Sequence, residues 1–224
     1  ANSIVLTAIS SIIVMILATV AARPLLVLLK TPDSILEWCT SYLRILFLGV
    51  SGLAFYNILS GILRGLGDSI SALVYLIVSS VLNIALDLLF VIKFDMGVSG
   101  VALATVIAQA ISAALCLLKL MRMKELFDFK AQYFRITNRH GMNIIRLGVP
   151  SGVTQAIMSM AMLVVQSLTN SFGEQFIASN VIVMRVDGFA MLPNFSFGTA
   201  MTTYAGQNVG ARAYERVSKG AKQG

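Results

Sequence analysis

The sequence predicts an all-α polytopic membrane protein, and three observations carry that prediction. Mean hydropathy is +0.84, and 57% hydrophobic against 12% charged residues leaves too little polar surface to cover a soluble globule of 224 residues. The apolar residues fall in runs of roughly 20, the length of helix that crosses a bilayer's hydrocarbon. The net charge of +7 collects in the segments between those runs, as the positive-inside rule requires. A pI near 9.7 therefore reports membrane topology and argues against a nucleic-acid partner.

Six membrane helices follow in order. The first run covers residues 4–20, continues past Arg23 and Pro24, and ends in the turn signal Lys30-Thr31-Pro32-Asp33. Residues 34–63 read as one second helix, with interfacial charge and aromatics in EWCTSYLRI and with Arg44 snorkelling or facing a cavity. The turn RGLGDS, 64–69, has two glycines and a capping residue; it lacks the strand and the GxxxxGK[ST] spacing of a phosphate loop. A third helix spans 70–91. A fourth spans 98–120, where Gly100, Ala104 and Ala108 recur every four residues and let a neighbouring backbone approach.

Residues 121–146 form the one clear linker, rich in lysine and arginine and carrying the only histidine, His140, for which a loop position gives no metal or catalytic setting. The fifth helix, 143–168, contains GVPSG, where Pro150 removes a backbone donor and predicts a kink. The sixth, 175–204, is the least apolar; Asn180, Arg185, Asp187, Pro193 and Asn194 suit a helix lining water. Alternation puts 64–69, the linker, and Arg212, Arg216, Lys219 and Lys222 on the cytoplasmic side. Cys39 and Cys116, without metal-site spacing, read as small buried hydrophobes. The chain opens on Ala1 without a signal-peptide n-region and stops in VSKGAKQG, so it reads as an internal piece of a longer protein.

Chemistry concentrates in residues 79–105. Asp87 lies where hydrocarbon is expected, and Asn83 stands one turn before it on the same helix face. An ionisable group at mid-membrane costs roughly 2.5 to 3.5 kcal/mol and calls for a partner, water or an ion. Asn83 is able to donate its amide to the carboxylate while offering its carbonyl to a cation, and Thr105 adds a hydroxyl from the next helix. On the residues alone two readings stand: an ion site, or a buried protonated acid among helix-gluing polar groups.

The succession YLRI, LRGLGDS, LNIALDLLF, GVSGVALATVIAQ, LGVPSG and GQNVGA resembles the multidrug and toxic compound extrusion family over essentially the whole chain. LRGxGD followed by NxxxD and a GxxGxAxAT helix is its specific part. The resemblance implies two six-helix lobes around a cavity that opens alternately to either side. This chain then corresponds to the third to eighth of twelve helices: 1–120 ends the amino-terminal lobe, 121–141 is a cytoplasmic inter-lobe linker, and 142–224 opens the carboxyl-terminal lobe. It also implies a cation or proton site at Asp87, Asn83 and Thr105, completed by an acid on a first helix outside this sequence. Met158 stands where another branch of the family carries its essential acid, a departure that removes support for a sodium site in the carboxyl-terminal lobe.

What the resemblance implies is a secondary antiporter of the inner (plasma) membrane, not an enzyme. It exports small amphipathic, often cationic, compounds against protons or sodium ions. It needs no cofactor, and no metal beyond a sodium ion at Asp87. Gln155, Gln166, Asn180 and Asn194 are polar positions on the two carboxyl-lobe helices that suit either the substrate cavity or, each taken singly, hydrogen bonding between helices. The expected partners are the bilayer, the small-molecule substrate and the rest of the transporter chain. The rivals are a lipid-linked saccharide flippase of the same superfamily, served by Arg23, Arg44 and Arg185, and a truncated chain with no transport of its own.

Overall fold

The computed structural model of the chain describes residues 2–29, 31–123 and 138–223. Its elements are α1 (Asn2–Leu28), α2 (Asp33–Leu48), α3 (Val50–Gly65) and α4 (Ser69–Leu88), a π-helical turn (Leu89–Lys93), then α5 (Gly97–Arg122), α6 (Asn138–Asn170), α7 (Glu174–Gly210) and α8 (Tyr214–Gln223). Among the described residues there is no strand, and five helices are long and apolar enough to cross a membrane, or six if the bent pair α2–α3 counts as one span. The all-α polytopic class therefore holds. The chain divides into two compact units, Ala1–Gly141 and Met142–Gly224.

In the first unit α5 is the axis, packed against α2, α3, α4 and the π-helical turn, while α1 lies on α2 and α3. Its buried positions are mostly small: Gly100, Ala102, Ala104, Ala108, Ser112, Ala113 and Cys116, closed by Leu120. Small side chains let the other helices come close, which in lipid replaces the hydrophobic effect as the source of packing energy. Leu59, Leu63, Ala72, Cys116 and Leu120 make a buried hydrophobic cluster where α3, α4 and α5 converge. The outer faces stay apolar and uncovered, Ile70 at 77% exposure, as a lipid-facing surface requires.

The structure corrects the second predicted helix. Residues 34–63 are not one helix; α2 and α3 meet at Gly49 with a 41° bend. The reason is proximity to α5. A Cβ on Gly49 would overlap the Val106 side chain, and one on Gly52 would lie 3.3 Å from the Ala110 backbone nitrogen. Two glycines three apart thus seat α3 on residues four apart in α5, and the bend delivers that seat.

In the second unit α6 stays helical through Pro150, and α7 through Pro193 to Gly210, beyond the predicted end at Tyr204. A further short helix, α8, follows where the sequence suggested only a basic tail. The linker expectations for 124–137 lie outside the described residues; α5 ends at Arg122 and α6 begins at Asn138.

Candidate functional site

The site is assembled by the pairing of α4 with α5. Asp68, the aspartate of LRGLGD, caps α4: Oδ1 accepts the Ser71 backbone N–H at 3.0 Å and Oδ2 accepts the Ser71 hydroxyl at 2.8 Å. Lys119 Nζ lies 3.3 Å from the same Oδ2, tying the start of α4 to the end of α5. Ser71, then Lys119, hold the Asp68 carboxyl below its ordinary value of 3.8.

From this anchor a ladder of polar contacts climbs the interface one turn at a time. Ser112 Oγ donates to the Tyr75 carbonyl at 3.1 Å, and Ser79 Oγ donates to the Ala108 carbonyl at 2.8 Å. Asn83 Nδ2 then meets Thr105 Oγ1 at 3.4 Å, while the Thr105 hydroxyl donates to the Val101 carbonyl at 3.0 Å. Positions 75, 79 and 83 rise through α4 as 112, 108 and 105 descend through α5, so antiparallel pairing and the serine bonds together fix the register.

Asp87 is the next position on that face. Its Oδ1 is buried without a hydrogen-bond partner, and the residue forms no ion pair among the described residues. Here the structure departs from the sequence reading, which had Asn83 donating to Asp87. The register turns the Asn83 amide to Thr105 and leaves both the carboxylate and the Asn83 carbonyl oxygen without a donor among the described residues. Asp87 as a whole is half-buried; it is Oδ1 that lies out of solvent with no hydrogen-bond partner among the described residues, a costly position for a polar atom. Asp87, Asn83 and Thr105 each carry oxygen; Asn83 and Thr105 meet across the α4–α5 interface, and Asp87 stands one helical turn beyond Asn83.

Directly after Asp87 the helix widens into the π-helical turn, with the Phe94 N–H reaching back to the Leu89 carbonyl at 3.3 Å. Gly100 receives this end: a Cβ there would sit 2.9 Å from Met96 Cβ and 3.0 Å from Phe90 Cβ. Sequence reasoning missed the π-helical turn, because LFVIK is indistinguishable from continuing apolar helix. It also missed Ser79 and Ser112, although their four-residue spacing from Asn83 and Ala108 was visible.

Among the described residues no hydrogen bond joins Gln155, Asn180 and Asn194 to one another. Gln155 is exposed on α6, and residues 142–168 are exposed throughout. Asn180 Nδ2 lies 3.6 Å from Met184 Sδ, and Asn194 Nδ2 lies 3.4 Å from Met191 Sδ, contacts within α7 itself. Arg185 and Asp187 form no ion pair with one another, and among the described residues no three His, Cys, Asp or Glu side chains group as a metal site.

Fold and site together define a multi-pass α-helical membrane protein with a carboxylate inside its helix packing. The family model MatE matches residues 1–89 and 150–224, and the chain belongs to that family. It is 35% identical over 193 residues to the probable multidrug resistance protein YpnP of Bacillus subtilis, covering 86% of this chain and 43% of that protein. It is 27% identical to the multidrug export protein MepA of Staphylococcus saprophyticus, covering 81% of this chain and 40% of that one. A transporter of the MOP superfamily from Pyrococcus furiosus superposes with a TM-score of 0.87 at 27% identity, over 97% of this chain and 50% of that chain. The chain thus spans half the length, or less, of the relatives it matches.

Proposed function

We propose that this chain forms part of a secondary antiporter that exports small amphipathic or cationic compounds in exchange for protons or sodium ions, with Asp87 as the coupling carboxylate. The observation that carries the proposal is the buried Asp87 Oδ1 without a partner, at the end of an otherwise hydrogen-bonded ladder. Family membership and the multidrug names of the relatives supply the transported class. In this reading 1–120 closes the amino-terminal lobe, 121–141 is the cytoplasmic linker, and 142–224 opens the carboxyl-terminal lobe of an inner-membrane transporter. The bilayer and the rest of the chain are its partners.

The geometry suggests how coupling works. A proton or sodium ion at Asp87 neutralises a buried carboxylate oxygen that has no partner among the described residues, with Asn83 and Thr105 completing the oxygen set. Loading favours the packing of α4 on α5 that keeps Asp87 Oδ1 out of solvent, and unloading favours a packing that hydrates it. That differential binding is what an ion must supply to bias two lobe conformations. A flippase would require a cationic cavity. Arg23, one of three arginines available for it, already lies 3.5 Å from Glu37.

The test is proton release from the purified transporter in weakly buffered detergent, on addition of ethidium or of sodium. The expected result is release by the wild type and none by Asp87→Asn. Equal release from both would remove Asp87 from the coupling site.

A further inference from the structure

α8 has no part in the antiport reading, yet it is a built element. It begins four residues after the end of α7, a helix long and apolar enough to span a bilayer. The reversal is made at Arg212, which adopts a left-handed φ of 57°. Two contacts then hold α8 against α7. The Tyr204 hydroxyl donates to the Arg216 carbonyl at 3.0 Å, and Gly220 rests on the Tyr204 ring, where a Cβ would overlap it. Val217 and Gly220 are half-buried on that side.

The remaining surface of α8 is cationic. Arg212, Arg216, Lys219 and Lys222 are exposed, with Glu215 the one acid in that stretch. None of the four cations forms an ion pair among the described residues. Tyr214 stands 63% exposed beside them, an aromatic of the kind that sits at headgroup depth. α8 is therefore fixed by glycine and tyrosine contacts beside the last turns of α7, a helix long and apolar enough to span a bilayer, with cations unpaired among the described residues and an interfacial aromatic on its open side.

We propose that α8 is a docking surface for the anionic phospholipid headgroups of the leaflet at which α7 ends. Charge complementarity selects this occupant, since four unpaired cations at a membrane's edge meet anionic headgroups before any other anion. Each cation near such a surface contributes roughly a fivefold preference, screened by salt over a Debye length.

The test is hydrogen–deuterium exchange of residues 211–223 in the whole chain, held in nanodiscs of pure phosphatidylcholine or of phosphatidylcholine with phosphatidylglycerol. The expected result is exchange at least fivefold slower with phosphatidylglycerol. That slowing should be lost at 0.5 M sodium chloride and in the variant R212Q/R216Q/K219Q/K222Q, whose changes lie on exposed side chains and leave the contacts with Tyr204 in place. Equal exchange in the two lipids would overturn the proposal and assign α8 to protein contacts alone. Slowing that survives in the glutamine variant would overturn it equally, by placing the lipid effect elsewhere.

Discussion

Replacing Asp68 separates a helix cap from an ion pair, and the structure assigns each a different magnitude. Asp68→Ala removes the acceptor of the Ser71 N–H and hydroxyl and the partner of Lys119 in one step. Loss of such a cap costs about 1 kcal/mol. The ion pair is part-exposed, at 24% for the aspartate and 36% for the lysine side chain, and contributes about 0.5 kcal/mol. Asp68→Asn keeps an oxygen for the Ser71 N–H and offers its Nδ2 donor to the Ser71 hydroxyl oxygen, reversing that bond, so the ion pair is its main loss, as it is in Lys119→Gln. Unfolding by sodium dodecyl sulfate in mixed micelles, followed by far-ultraviolet circular dichroism, should rank Asp68→Ala about 1.5 kcal/mol below wild type and the other two about 0.5 kcal/mol below. The pH dependence has a definite sign. Because the folded carboxyl titrates below its ordinary 3.8, its stabilisation is complete above that value and is lost as pH falls through the lower folded one. The gap between wild type and Asp68→Asn should therefore close below about pH 3.8. Asparagine as damaging as alanine would refute the cap as the larger effect.

Further substitutions test the packing and the ladder. Gly49→Ala drives a methyl into Val106 and should cost about 1 to 3 kcal/mol, with part recovered by Val106→Ala in the same chain; no loss on unfolding would contradict the close seat of α3 on α5. Ser79→Ala and Ser112→Ala should each lower stability by about 0.6 kcal/mol, the usual strength of a hydrogen bond between membrane helices, because the carbonyls they release belong to helix interiors. Thr105→Val removes the acceptor of the Asn83 amide and should depress drug efflux at unchanged membrane abundance, while Thr105→Ser restores it. Serine as poor as valine would show that the methyl, not the hydroxyl, matters.

How much of this was legible in the sequence depends on the kind of signal. The membrane class and most of the spans follow from apolar runs and charge placement, and Asp87 is conspicuous as a carboxylate inside one. The pairing of Asn83 with Thr105, though, depends on helix register, which serine bonds to carbonyls set, and a carbonyl leaves no mark in a sequence. The bend at Gly49 was hidden because glycine is common in membrane helices; only the nearness of Val106 makes this one obligatory. Pro150 stands inside an uninterrupted helix, so proline there does not end α6. α8 was missed because its charged residues mask a helical period that becomes plain once Gly220 is seen against Tyr204.

The proposed coupling through Asp87 is tested most directly by ethidium efflux from cells expressing a full-length transporter that carries this sequence. Wild type and Asp87→Asn are compared at equal membrane abundance, with the proton and the sodium gradients collapsed in turn. The account predicts that wild-type efflux stops when one of the two gradients is removed, which names the ion, and that Asp87→Asn is inactive under every condition. An asparagine variant that pumps as fast as the wild type would contradict it and leave Asp87 a structural acid.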